Sequence, residues 1–154
     1  MRGGWCTDSN QQAARSQMAP DRNGRADRIT VLFDANALMI QFQFRIDVFG
    51  EVRNLIGAYE PLILADVIKE LRGLARGMGR EGSAARSALS LVERCTRVES
   101  GIPEGSVDEK IVDYARRKGC MVMTNDRALR NTLLSYSIPV ITLKQRKKLE
   151  ILRR

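Results

Sequence analysis

Ile29-Thr30-Val31-Leu32-Phe33-Asp34-Ala35-Asn36 decides the fold class, because an apolar run passes directly into an acid. The pattern returns late in the chain in Cys120-Met121-Val122-Met123-Thr124-Asn125-Asp126. Each stretch reads as a buried strand that delivers a carboxylate at its C-terminal end, which is where ligands bind in an open parallel α/β sheet. Between them, Glu70 in Val67-Ile68-Lys69-Glu70-Leu71 and Asp108 in Ser106-Val107-Asp108-Glu109 lie at or near the starts of predicted helices. One carboxylate cluster drawn from the whole chain is expected. It sits in a protein of formal net charge +8 with no histidine, a combination that points to a hard divalent metal together with phosphate.

Outward from these two stretches, strand and helix alternate, the signature of βαβ units with right-handed crossovers. Residues 47–56 place Val48, Val52, Leu55 and Ile56 on one helical stripe, and 61–64 read as a second strand. Asp66 is expected to N-cap a helix through Leu71 and Leu74; Gly77 and Gly79 end it, and residues 80–82 form a polar loop. Helical spacing resumes over 83–95, and 96–99 form a short strand. Ser106 and Glu109 match a capping box, which sets Asp108 in a helix's first turn. Strands are expected at 120–124 and 138–143, with a helix opened or capped by Asp126 between them. The fold class is therefore α/β, a mostly parallel central sheet. Residues 1–28, poor in aliphatics, read as a flexible leader, 29–143 as the folded domain and 144–154 as a basic tail.

At 154 residues and 44% hydrophobic, the chain is long enough for one domain with a core and too short for two ordinary ones. The absence of histidine excludes Ser-His-Asp and Cys-His nucleophile systems and every histidine-ligated zinc site. Carboxylates and metal-bound water remain. Cys6, Cys95 and Cys120 are odd in number and widely spaced, so buried thiols in a reducing compartment are expected rather than disulfides or a zinc ribbon. No apolar run approaches the roughly 18 residues of a membrane span and no secretory h-region is present, so a cytoplasmic protein without a membrane partner is expected. The excess of lysine and arginine favours polyanions such as RNA.

Each acid has an ordinary alternative: Asp108 as a dipole residue, Asp126 as an N-cap, Asp34 as a turn residue, Glu70 as a solvated helix position. A shared site explains all four at once. In order and spacing, Phe33-Asp34-Ala35-Asn36, Val67-Ile68-Lys69-Glu70-Leu71, Val107-Asp108-Glu109-Lys110-Ile111 and Thr124-Asn125-Asp126-Arg127-Ala128-Leu129 resemble the four motifs of PIN-domain ribonucleases. The similarity spans 29 to about 149 and looks nearest to archaeal PIN proteins related to small-subunit processome nucleases, more distantly to VapC-type toxins. It implies helices on both faces of the sheet, metal-dependent endoribonuclease activity and frequent homodimerisation.

On the matching positions the resemblance makes Asp34 and Asp126 ligands of Mg²⁺ or Mn²⁺, directly or through water. Glu70 and Asp108 complete the pocket for one or two ions, and Asn36 and Thr124 support the acids, turn stabilisation being the alternative role for both. Hydrolysis by a metal-activated water then leaves 5′-phosphate and 3′-hydroxyl ends. Arg72, Arg76, Arg80, Arg86, Arg127 and Arg130 offer a path for RNA phosphates, against the alternative of a solvated face. The expected role is in rRNA processing, with a ribosomal assembly partner, or as a toxin-type ribonuclease with an antitoxin. The competing readings are a non-catalytic basic RNA-binding or ribosome assembly factor with a structural metal, and phosphatase or nucleotide chemistry on a receiver-like sheet. Cleavage of RNA or of small phosphate esters discriminates them, and the lack of a glycine-rich phosphate loop lowers the last.

Overall fold

A computed structural model describes residues 28–154, so the leader expected over 1–28 lies outside the described residues but for Arg28. The chain runs β1 (Ile29–Phe33), α1 (Ala35–Gln43), α2 (Val48–Ile56), β2 (Tyr59–Leu64), α3 (Ala65–Ala75), α4 (Gly79–Ala88), a 3₁₀ turn (Leu89–Arg94) and β3 (Thr96–Val98). It continues through α5 (Val107–Lys118), β4 (Met121–Met123), α6 (Arg127–Ser135), β5 (Val140–Lys144) and β6 (Lys148–Leu152). The six strands form one sheet in the order β3-β2-β1-β4-β5-β6. All neighbours are parallel except β5 and β6.

The chain therefore moves outward from β1 to β3, returns to place β4 beside β1, and continues the other way. Right-handed crossovers in opposite directions put the connecting helices on opposite faces of the sheet. Accordingly α1, α3 and α4 pack together, and α5 packs beside α6. With both faces covered, strands read as continuous apolar runs rather than alternating ones. Val31, Leu32, Phe33, Val122, Met123, Val140 and Ile141 are all fully buried. Leu32 stands opposite Val122 and Phe33 opposite Met123, so the next residues, Asp34 and Thr124, emerge level with each other where the strand order reverses. Such a switch point is the binding crevice of an open α/β sheet.

Four local expectations are corrected. First, no helix was expected directly after Asp34, yet α1 starts at Ala35; its Ala35, Ala37, Leu38, Met39 and Ile40 are buried, and a helix enclosed on most sides shows little amphipathic stripe. Second, α3 follows β2 without a loop, so Leu64 and not Asp66 takes the N-cap position. Third, residues 80–82 are helical, because α4 begins at Gly79. Gly82 is there for close approach: a Cβ on it would lie 2.1 Å from the Gly77 carbonyl oxygen. Helical spacing then tightens into the 3₁₀ turn instead of continuing to Cys95. Fourth, residues 148–152 of the expected basic tail form β6, reached through Gln145 and Arg146 in left-handed conformations without the glycine that marks such hairpins. Its Leu149 is buried between exposed or half-buried polar neighbours. Cys120 is buried, Cys95 half-buried, and both are free thiols.

Candidate active site

The centre of the site is a hydrogen-bond relay between the ends of β1 and β4. The Asp34 backbone N–H donates to the Met123 carbonyl at 3.2 Å, and the Thr124 N–H donates to Ile141 at 3.1 Å, so both residues continue the sheet beyond the last strand positions. The Thr124 hydroxyl then donates to Asp34 Oδ2 at 2.7 Å, while its oxygen accepts the Asp126 N–H at 3.1 Å. Thr124 is wholly buried and Asp34 is 6% exposed. Asp34 occupies the N-cap position of α1 but its side chain makes no capping bond. Its carboxylate is directed to Thr124 instead.

Asp126 N-caps α6 as expected, with Oδ1 accepting the Leu129 N–H at 3.1 Å. The preceding Asn125 supports it in a way that sequence reading missed. Asn125 Oδ1 accepts from the Thr142 hydroxyl at 2.9 Å and the Leu143 N–H at 3.2 Å, tying the β4–α6 turn to β5. The signal available was an amide side chain in a turn directly after a strand.

Asp108 lies in the first turn of α5. The expected capping box is present, with the Ser106 N–H on Glu109 Oε1 at 2.8 Å and the Glu109 N–H on Ser106 Oγ at 3.1 Å. Glu109 is thus committed to the cap and Asp108 is left exposed. Glu70 is exposed on the second turn of α3. A pair that local sequence pattern could not reveal joins these two helices: Lys110 Nζ donates to Asp66 Oδ2 at 2.8 Å, with only 12% and 27% of the two side chains exposed. Asp66 lies one turn before Glu70 and Lys110 two residues after Asp108. Lys110→Met is therefore expected to remove a charged hydrogen bond of about 1.5–3 kcal/mol, lowering the melting temperature by roughly 3–12 °C. Any activity that depends on the relative placement of Glu70 and Asp108 should fall with it; Lys110→Arg, measured alongside, should retain most of both.

Electrostatically the four acids act on one another. Burial pushes the Asp34 carboxyl above its ordinary range; Thr124 and the Ala35 backbone oppose this, and Asp108 and Asp126 add to it. Although both residues are exposed overall, their carboxyl groups are partly shielded from water: Glu70 is raised by this partial desolvation and then by Asp34, Asp108 and Asp126, and Asp108 by partial desolvation and then by Asp126. No described lysine or arginine forms a salt bridge with any of the four.

Among the described residues, no three acids or cysteines close tightly enough to hold a metal ion by themselves. The donor set nonetheless suits a hard, hydrated cation. Mg²⁺ keeps several waters and takes one or two carboxylates, and four carboxylates without a cationic partner among the described residues supply the charge. Asn36 is exposed in the first turn of α1, outside the Asp34–Thr124–Asp126 relay.

Among the arginines, Arg72, Arg76, Arg80 and Arg127 are exposed and Arg130 is half-buried. Arg86 is exposed as well and also serves as a brace. Its Nη1 donates to the carbonyls of Ala75 at 2.8 Å and Gly77 at 3.0 Å, closing the end of α3 against α4.

A family model described as a PIN like domain matches residues 31–146. Ribonuclease VapC9 of Archaeoglobus fulgidus is 35% identical over 133 residues, covering 85% of this chain and 95% of the relative. Ribonuclease VapC4 of Methanocaldococcus jannaschii is 29% identical over 123 residues, covering 77% and 92%. The solved structure of the PIN domain endonuclease Utp24 superposes with a TM-score of 0.69 at 26% identity, covering 81% of this chain and 92% of that one. VapBC2 from Rickettsia felis, solved with a DNA fragment from its promoter, shares the fold at a TM-score of 0.55 and 13% identity, covering 75% and 100%.

Proposed function

Because this chain belongs to the PIN-domain ribonuclease family, we propose that it is a metal-dependent endoribonuclease with Asp34, Glu70, Asp108 and Asp126 as its catalytic acids. The observation that carries this reading is the buried Asp34 carboxylate, which faces the field of Asp108 and Asp126 with hydrogen bonds from the Thr124 hydroxyl and the Ala35 backbone but no described cation beside it. A folded protein keeps such an arrangement at a cost in stability, and a bound cation offsets it.

In this reading Asp34 and Asp126 hold the cation, and Thr124 fixes the orientation of Asp34 by donating to Oδ2 while accepting from the Asp126 backbone. Glu70 and Asp108 complete the pocket, positioning the attacking water or a second ion. Mg²⁺ or Mn²⁺ bound there supplies the positive charge that makes water acidic and offsets the charge developing on the scissile phosphate. Asn36, at the open edge of the site, supports the acids or the incoming backbone. RNA phosphates meet Arg72 and Arg76 on α3, with Arg80, Arg127 and Arg130 extending the path. Charge reversal at Arg72 and Arg76 together should weaken RNA affinity to a similar degree for unrelated sequences and reduce the salt slope by about 0.7 per lost phosphate contact on single strands. Titrations of two unrelated oligoribonucleotides across a salt series read this directly; an unchanged slope assigns both arginines to a solvated face.

The relatives named Ribonuclease VapC9 and VapC4 support a toxin-type setting with an antitoxin partner, and the likeness to the endonuclease Utp24 keeps RNA processing, with a ribosomal assembly partner, as the alternative setting of this proposal. A homodimer and a cytoplasmic location belong to the same proposal; no helix among the described residues is long and apolar enough to cross a membrane. The deciding experiment is sequencing of the RNA ends left by wild-type and Asp126→Asn protein on ribosomal and messenger RNA with Mn²⁺ or Mg²⁺. Metal-dependent 5′-phosphate ends, absent from the variant, are expected. Identical end profiles from the two proteins would sink the reading and favour a non-catalytic RNA-binding factor.

A further inference from the structure

A groove of about 410 Å³ runs between α5 and α6, away from the acidic centre. Asp108 stands at its near end, the buried Val112 and Leu129 form its floor, and Arg116 and Tyr136 lie at its far end. The Arg116 guanidinium carbon sits 4.3 Å from the centroid of the Tyr136 ring, and Tyr136 remains 49% exposed. In a chain with little aromatic content, a half-exposed ring with a cation against it, in the groove that leaves the acids, is a specific combination. The other acids along the groove are already engaged: Glu109 in its capping box, and Asp113 with Arg117 at 2.8 Å. Arg116 has no described carboxylate partner.

We propose that this groove is a subsite for single-stranded RNA, in which a nucleobase stacks on Tyr136 and Arg116 meets the adjoining phosphate. The assignment rests on the endoribonuclease reading, which puts the scissile phosphate near Asp108. Aromatic side chains stack any base, and arginine contributes both cation–π contact and phosphate charge. Asp108 and Arg116 are eight positions apart on one helix, a span of about 12 Å at 1.5 Å per residue. At about 3.4 Å per stacked nucleotide, that distance places the stacked base roughly three or four nucleotides from the cut. Arg116 over Tyr136 also clamps α5 to α6 in the free protein, so the test must separate a clamp from a base platform.

Oligoribonucleotides of one sequence, each with a single abasic nucleotide at a successive position from the cleavage site, provide the separation. Binding is measured in an Asp126→Asn background, which prevents turnover, and cleavage is measured in the native background. With Tyr136 present, the abasic substitution three or four positions from the cut should weaken binding by roughly 5- to 150-fold. Tyr136→Ala should weaken binding of intact RNA by a similar factor and abolish further sensitivity to that abasic position, whereas Tyr136→Phe should behave as wild type. Tyr136→Leu, which keeps an apolar contact with α5, takes the place of the alanine variant if the latter melts early. An abasic penalty that is missing at every groove position, or that persists unchanged in Tyr136→Ala and Tyr136→Leu, overturns the subsite. If abasic sensitivity follows Tyr136 but native protein cleaves no RNA, the subsite stands and the catalytic reading fails.

Discussion

Asparagine in place of Asp34 should reduce RNA cleavage by about a hundredfold to ten-thousandfold, since a ligand of a catalytic cation is worth several kcal/mol and each 1.36 kcal/mol is tenfold. The metal-free protein should melt no lower than wild type. Asparagine has the same shape and presents a carbonyl oxygen where Thr124 donates to Asp34 Oδ2, so the packing and the relay are retained. What disappears is a charge that burial, Asp108 and Asp126 all disfavour. A variant that is inactive because it is damaged would lose stability with activity; this one should lose activity alone. Asp126→Asn should act likewise, because asparagine caps a helix about as well as aspartate, whereas Asp126→Ala should also lose about 0.5–2 kcal/mol with the cap on Leu129. Initial cleavage rates and thermal melts of the three variants, run side by side, check the whole pattern.

Metal should stabilise the protein by a comparable margin. At a hundredfold excess over its dissociation constant, Mn²⁺ contributes about 2.7 kcal/mol, or roughly 5–11 °C in melting temperature for a chain of this size. The pH dependence of the metal-free protein should point the same way. Asp34, Glu70 and Asp108 have carboxyl groups raised by full or partial burial and by neighbouring acids, Asp126 acting on all three, so the native state holds protons that the unfolded chain has released. Their contribution is fully present below the ordinary carboxylate range and is lost as pH rises through the raised native values. Between pH 7.5 and 5, wild type should therefore gain more stability, or lose less, than Asp34→Asn. Saturating Mn²⁺ should reverse that difference, since the cation needs the deprotonated acids. Calorimetric scans of both proteins at three pH values, with chelator and with Mn²⁺, test it; parallel pH profiles without metal would mean that Asp34 is not coupled to its neighbours.

The parts of this fold that were legible in the sequence are those written by local contrast. The apolar runs ending in Asp34 and Thr124 read as buried parallel strands because nothing polar interrupts them, and Ser106 with Glu109 announced the start of α5. Where local contrast failed, the cause is identifiable. α1 is buried on most sides and so lacks a polar stripe. Residues 80–82 read as a loop because close packing and chain termination use the same residue, and Gly82 packs against the Gly77 carbonyl inside a helix. The hairpin into β6 turns through non-glycine residues at positive φ. At the site, the four acids were visible as motif positions. Thr124 was also visible there, but the longer-range braces were not, because Lys110 and Asp66 lie 44 residues apart, Asn125 and Thr142 17, and Arg86 and Ala75 11. Contacts of that kind are set by topology rather than by neighbours in sequence.

The relay between Thr124 and Asp34 closes a loop of 90 residues, which has a consequence for biosynthesis. Asp34 is made early, but its partner strand β4 and the turn bearing Asp126 are made near the end of the domain. At about 5–20 residues per second, the interval between them is roughly 5–20 s of translation. Throughout it, a growing chain exposes its basic residues to the ribosome and message while Thr124 and Asp126 are still unmade. On the proposed function, a nascent or prematurely terminated chain that stops before β4 is thus a cation without a blade: it should cling to RNA, yet be unable to cut the template from which it is being read.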